Sequence, residues 1–284
     1  MRVSLFTNYG ALNSPPIFSA FAEGCDEDIV FNDMDADVAV IWSILFAGRM
    51  EPNRKVWEHY TRQGKPIIVI EVGALKRNET WRVGLGGINN GAEFANHTNL
   101  EEGRVEKFGI KLEPWKTDGQ FITIATQRPD SHQWSSMPTV EVYLRNAIGK
   151  IREHSSRDIV IRPHPRDRIT DFHGVAAEFR DVFFDVPRNT GIDDNFNFNE
   201  ILDRSWCVIN HSSNPAIEAV INGVHAYTSC MSFAYPMSVK QWRDIESPPY
   251  NNREQWLKEL THIEWWPEEI SEGKPWKRLK DYLW

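Results

Sequence analysis

Two short segments in the second half of the chain carry residue types suited to holding an anion. Residues 159–166 read Ile-Val-Ile-Arg-Pro-His-Pro-Arg, and residues 207–223 read Cys-Val-Ile-Asn-His-Ser-Ser-Asn-Pro-Ala-Ile-Glu-Ala-Val-Ile-Asn-Gly. Each is an apolar strand that runs directly into polar groups. In the second, a helix follows at once: Asn214 is suited to the N-cap, Pro215 to the first helical position, and Gly223 to a left-handed close. A helix start presents N–H groups without intrahelical partners and the positive end of the dipole, a setting in which phosphate binds well. Ser212 and Ser213 lie at that opening. Arg162, His164 and Arg166 supply further donors from the other strand end. Two such strand ends in one sheet point to a nucleotide monophosphate or diphosphate.

Other residues gather around this core. Gln127 and Arg128 end the first strand of the second half and are candidates for base or phosphate contact. Asn210 closes the strand before the two serines. Glu218, one turn into the helix, either bonds ribose hydroxyls or complements the helix start. Arg166 and Arg168 are either further phosphate partners or solvated cations. In the first half, Glu71 ends an apolar strand and precedes Gly73, which would permit close backbone approach. A carboxylate there can act as general base on an acceptor hydroxyl, or be a capped carboxylate paired with Arg77 or Arg82. Asn8, Tyr9, Arg77 and Trp81 are acceptor-side candidates, with His97 the next base. The run Asp33, Asp35, Asp37 reads as a solvated loop, and the pair Asp193 and Asp194 is only weakly metal-like, so no metal site is expected.

Strands and helices alternate around these residues. Strands are expected over residues 3–6, 38–42 and 66–71, with helices over 15–23 and 54–63 between them, a βαβαβ order that favours a parallel sheet. From residue 73 to 114 the periodicity weakens, and residues 84–91 are loop-rich. Residues 111–119 read as a linker. The pattern restarts with strands over 121–125, 158–162, 182–185, 206–210 and 226–229, and helices over 139–153, 199–204 and 215–222. Asn252 followed by Gln255 resembles a capping box. The organisation expected is a first Rossmann-like half over 1–114, a second over 120–248, and a helical segment over 249–284 packing across both. Two such halves imply a cleft, and every polar cluster above lies at a strand's carboxyl end, where open parallel sheets bind ligands.

Composition excludes several classes. With 284 residues, 41% hydrophobic and 25% charged, the chain is an ordinary globular protein of one large or two typical domains. A net charge of -8 argues against broad binding to nucleic-acid backbone. Cys25, Cys207 and Cys230 have no metal or disulfide spacing and suit a reducing cytosol. No apolar run approaches the ~18 residues that span a bilayer, and no signal peptide is read, so a cytoplasmic location is expected, in a bacterium or a phage-infected host. The 12 tryptophans supply either core packing or ligand stacking.

The series Ile-Ala-Thr-Gln127-Arg128, Arg-Pro-His164-Pro165 and Asn-His-Ser212-Ser213 followed by Glu218 and Gly223 resembles the capsule polysaccharide glycosyltransferases, the bacterial β-Kdo transferases and their relatives. The His-Pro and Ser-Ser pairs are also similar to those of sialyltransferases that use cytidine monophosphate sugars. Ile70-Glu71-Val-Gly73, followed by Trp81 and by residues 87–89, resembles the Glu-x-Gly segment of the group. The resemblance spans roughly residues 66–236. It implies a GT-B-like fold with the donor nucleotide in the second half and the acceptor in the first. His225 departs from it, standing where Lys-Pro or Arg-Pro often precedes the next strand. UDP-linked and CMP-linked donors both fit.

The expected activity is therefore a metal-independent glycosyltransferase that needs no cofactor beyond its nucleotide-sugar substrate. Groups that bind the leaving phosphate more tightly as its charge grows lower the barrier selectively. His164 is expected both to contact that phosphate and to serve catalysis alongside Glu71. The acceptor is either a surface glycan or a hydroxymethylated base in phage DNA. The second would need stacking aromatics and cations, for which Tyr9, Trp42, Arg49, Arg54, Lys76, Arg77 and Trp81 are candidates. A sugar-nucleotide epimerase and a noncatalytic nucleotide-sugar binding protein are the alternatives.

Overall fold

A computed structural model describes residues 1–167, 169–188 and 197–284. Arg168, Asp193 and Asp194 lie outside the described residues. The chain forms two units: Met1–Gly109 together with Gln255–Trp284, and Ile110–Glu254. In chain order the first unit has β1 (Arg2–Leu5), α1 (Pro15–Gly24), β2 (Asp28–Phe31), β3 (Val38–Trp42), α2 (Asn53–Arg62), β4 (Ile67–Val72), β5 (Trp81–Leu85) and α3 (Arg104–Phe108). The second has β6 (Phe121–Ala125), α4 (Val140–Arg152), β7 (Asp158–Arg162), α5 (Phe172–Ala177), β8 (Val182–Phe184), α6 (Phe198–Leu202), β9 (Ser205–Asn210), α7 (Pro215–Ile221) and β10 (His225–Thr228). Helix α8 (Glu254–Leu260) crosses the boundary, and β11 (Glu264–Trp265), α9 (Pro267–Ser271) and α10 (Lys274–Leu279) return to the first unit.

The second sheet is wholly parallel, in the order β10-β9-β6-β7-β8. All five residues of β6 and all six of β9 are buried, which is why these strands are mostly apolar rather than alternating: helices cover both faces. Helix α4 turns Val140, Leu144, Ala147, Ile148 and Ile151 inward at helical spacing, and the Thr139 hydroxyl caps it at the Val142 amide. The chain moves outward from β6 to β8, then crosses back to lay β9 on the other side of β6. The carboxyl ends of β6 and β9 thus flank a topological switch point, where doubly wound sheets bind ligands.

The first sheet, β11-β5-β4-β3-β1-β2, is mixed. Strands β1 to β4 are parallel, with β5 antiparallel to β4 and β11 antiparallel to β5. The three strands expected in this half pair in parallel as read, and residues 73–114, read as weakly patterned, add β5 and α3. Its switch point lies between β1 and β3.

The expected linker and tail are placed differently from the reading above. The amides of Glu113 and Lys116 bond Ile221 O and Gly223 O at 3.0 and 2.8 Å, so residues 111–119 are built into the second unit. Gly223 has φ +74°, and a Cβ there would lie 2.0 Å from Pro114 O, so conformation and space both require glycine. His225, the residue that departs from the family pattern, packs in the same place. Its ring stacks on Trp115 at 4.8 Å, and burial pushes its pKa down to about 4. Residues 249–254 go with the second unit. Gln255–Trp284 goes with the first, where Trp265, Trp276, Leu279 and Leu283 share a core with Val3, Leu5 and Phe21. Buried Arg104 holds this tail in place, bonding Glu269 at 2.9 and 3.2 Å, Thr261 O at 2.7 Å and Glu264 O at 2.6 Å. Among the described residues no helix is long and apolar enough to cross a membrane.

Candidate functional site

At the second unit's switch point the polar side chains hold one another. Gln127 Oε1 accepts from the Ser212 amide (3.1 Å) and the Ser212 hydroxyl (3.2 Å). Asn210 Nδ2 donates to Ala125 O (2.9 Å) and to Ser213 Oγ (2.8 Å), while its Oδ1 accepts from the Ser213 amide (2.8 Å). These bonds tie the end of β9 to the end of β6 and fix the turn before α7. Gln127, Asn210 and Ser212 are buried and Ser213 half-buried. Ser213 accepts through its oxygen, so its own O–H remains able to donate. Asn214 occupies the N-cap position in helical conformation, but its side chain makes no capping bond. That corrects the expected cap: the turn is fixed by Asn210. Pro215 does start the helix, and Glu218 lies half-buried in its first turn.

His164 stands in the Pro-His-Pro turn that follows β7. Its amide donates to Thr126 Oγ1 at 3.0 Å, and its Nδ1 accepts the Arg166 amide at 3.1 Å, which places the neutral ring's proton on Nε2. Thr126 and Gln127 both follow β6, so the His164 turn and the serine turn are anchored on one strand end. The expected cations are engaged elsewhere. Arg162 is buried, pairs with Asp185, and donates to Asn197 Oδ1 at 2.9 Å. Arg128 pairs with Asp130 through its Nε at 2.8 Å. Arg166 is exposed. Arg162 and Arg128, the residues expected at the phosphate, thus each pair with a carboxylate of their own unit. His211, in the quoted motif but not singled out, packs edge-on against Trp134 at 5.4 Å, and burial lowers its pKa.

In the first unit Glu71 lies at the end of β4, half-buried. Its Oε2 accepts from the Ser43 hydroxyl at 2.6 Å, and its Oε1 from the Val72 amide at 2.9 Å. The Arg82 guanidinium instead donates to Val72 O and Ile88 O. Gly73 makes room for the buried Glu264 carboxylate, since a Cβ would lie 2.5 Å from Glu264 Oε2; the close approach expected there is internal. Asn53 spans the sheet's switch point, its Nδ2 donating to Tyr9 O (3.2 Å) and Trp42 O (2.7 Å). Asn8 is exposed and Tyr9 half-buried beside it, while Arg77 is exposed in the turn between β4 and β5. Trp81 is a core residue of β5, packed in the first unit's main cluster, as is Trp42. His97 is exposed, 3.4 Å from Glu259. Asp33 pairs with Arg2, and Asp37 accepts the Arg2 amide, so these carboxylates fasten the chain start. Among the described residues no three His, Cys, Asp or Glu side chains form a metal-binding group.

Ser43, Asn53, Thr126 and Asp185 were missed because each is polar in an unremarkable local context. For Ser43 a usable signal existed: it directly follows a fully apolar strand, as Glu71 does.

The two parallel-stranded units define a GT-B-like α/β fold, as the motif resemblance implied. No protein-family model and no curated protein sequence matches the chain. Solved structures do. The β-Kdo 2,4 transferase KpsC of Thermosulfurimonas dismutans aligns over 93% of this chain and 90% of its own, at 14% identity and a TM-score of 0.55. The β-Kdo 2,7 transferase KpsC of the same organism aligns over 98% and 100%, at 13% identity and a TM-score of 0.54. At such identities the likeness is one of fold, and it is to the capsule transferase group that the motifs resemble.

Proposed function

We propose that this chain is a glycosyltransferase that moves a sugar from a UDP- or CMP-linked donor to a hydroxyl of a glycan acceptor, the second unit binding the nucleotide and the first the acceptor. One observation carries the reading: the His164 turn and the Asn210–Ser213 turn are fastened to the same strand end at the switch point of a doubly wound sheet. His164 and Ser213 hydrogen-bond the donor phosphate, and Glu218 the ribose. Glu71 takes the proton of the acceptor hydroxyl on a carboxylate oxygen. The acceptor oxygen bonds to the anomeric carbon as the bond from that carbon to the phosphate oxygen breaks, and the electron pair leaves with the nucleotide. Donors that hold the leaving phosphate more strongly as its charge develops lower the barrier. A glycan is favoured over a DNA base because Trp42 and Trp81, candidates for stacking a flipped base, lie in the core.

The test is product analysis. The protein is screened for thermal stabilisation by nucleotides and nucleotide sugars, since a ligand of the folded state stabilises by mass action. The stabilising donor is then incubated with hydroxyl acceptors. A new glycoside and free nucleotide are expected. An isomerised nucleotide sugar would make the chain an epimerase, and binding without turnover a sensor.

A further inference from the structure

Ser43 is 2% exposed and sits immediately beyond β3, beside the strand that carries Glu71. Its φ of +60° is left-handed, a conformation that costs free energy for any residue with a Cβ. Phe46, three residues on, is also left-handed at +50°. Glycine would adopt the Ser43 conformation without strain. What serine adds is a hydroxyl with two partners: it donates to Glu71 Oε2 at 2.6 Å and accepts from the Leu45 amide at 3.1 Å. The Ser43 amide donates to Ile70 O at 2.8 Å, so the residue is fastened to β4 through its backbone as well. With Oε1 on the Val72 amide, both oxygens of Glu71 are held. A carboxylate has about four acceptor positions, so two bonds fix its plane and leave room for an incoming proton.

We propose that Ser43 is a positioning residue for Glu71: its hydroxyl, aimed by the left-handed turn, fixes the carboxylate in the orientation from which it takes the acceptor's proton. The proposal rests on the reading of Glu71 as general base. A base must be held within hydrogen-bond reach of the proton it removes, and small displacements of such a group cost rate more than binding. Strained non-glycine backbone persists where the surroundings over-determine it, as two strands and three hydrogen bonds do here.

The hydroxyl also braces its own turn, so the experiment separates the two roles. Turnover, acceptor KM and donor Kd are measured for Ser43→Ala, Ser43→Gly, Glu71→Gln, and each serine variant combined with Glu71→Gln. Thermal melts run alongside. Alanine and glycine both remove the hydroxyl, but only glycine relieves the strain. Positioning predicts that both lower kcat by about 10- to 100-fold, the loss of one hydrogen bond to a charged group, with donor Kd unchanged. It also predicts no further loss when either is added to Glu71→Gln, because residues acting through one group are not additive. Wild-type kcat in Ser43→Gly would overturn the proposal in favour of a turn-bracing role, as would losses that multiply with that of Glu71→Gln. Full turnover in Glu71→Gln alone would overturn the base reading and the proposal with it; that outcome is distinct from one in which Glu71→Gln is inactive and the serine variants are not.

Discussion

At the carboxyl edge of the second sheet, Gln127, Asn210, Ser212 and Ser213 hydrogen-bond one another across β6 and β9. At the edge of the first, one carboxylate is held by a hydroxyl from a turn with two left-handed non-glycine residues. The first arrangement is neutral, cross-braced and free of positive-φ residues between 205 and 216; the second is charged and strained. On the proposed function, a surface for phosphate needs donors whose geometry does not relax, and this network holds the Ser213 hydroxyl in place. A proton acceptor needs one group in one orientation, and local strain is tolerated where it sets that orientation. The contrast extends to the buried arginines. Arg162 and Arg104 both lie inside their own units, each paired with a carboxylate.

The sharpest way to break this contrast is Glu71→Gln. We expect turnover to fall by roughly 10²–10⁴-fold while donor affinity, measured by calorimetry, stays constant. Near-wild-type turnover would remove the catalytic role from the strained edge. Next in size is Glu269→Ala, which takes the nearer carboxylate from the buried Arg104 guanidinium and leaves it Glu101 at 3.7 Å; it should cost about 3–5 kcal/mol in urea denaturation without touching the second unit. Burial alone would raise the Glu269 carboxyl, but hydrogen bonds from Arg104 and Lys107 outweigh it and hold it at about 2. A carboxyl held below its unfolded value stabilises the fold at higher pH and ceases to as the pH falls. Wild-type stability should therefore decline from about pH 4.5 down to about pH 2 more steeply than that of Glu269→Gln.

A paired comparison separates ligand donors from internal partners in the second unit. His164→Ala should weaken nucleotide binding by roughly 1.5–3 kcal/mol with an unchanged melt. Arg162→Met should do the reverse, lowering stability by about 1–3 kcal/mol because Asp185 and Asn197 lose a partner, while affinity holds. If Arg162→Met lost affinity at unchanged stability, the phosphate role read from the sequence would be supported. The smallest expected effect is none: excess chelator should leave turnover unchanged, and a loss reversed by manganese or magnesium would direct attention to Asp193 and Asp194.

Much of the fold was legible because buried parallel strands announce themselves. Strands β3, β6 and β7 were read to the residue from short runs built mainly of apolar, β-branched side chains. Strand β2 was not, since Asp28–Phe31 is an edge strand with none of its residues fully buried. Strand β5 was missed because Arg82 and Gly84 interrupt its pattern, and β11 because it is two residues long. For the site, strand ends were legible and partners were not. Glu71 and Ser43 are 28 residues apart, Gln127 and Ser212 are 85 apart, and Arg162 and Asp185 are 23 apart. No local signal joins such pairs; only the register of the sheets does.

The return of Gln255–Trp284 to the first unit bears on how the chain is made. The segment from Ile110 to Glu254 is contiguous, so it can complete its core while synthesis continues. The first unit cannot: Trp265, Trp276 and Leu283, which close around β1 and α1, emerge after the whole second unit. Its earlier part must wait on the ribosome with apolar strands uncovered, and that interval is when a chaperone would be needed. A released chain that stops at residue 254 should show a protease-resistant second unit beside a first unit still open to cleavage.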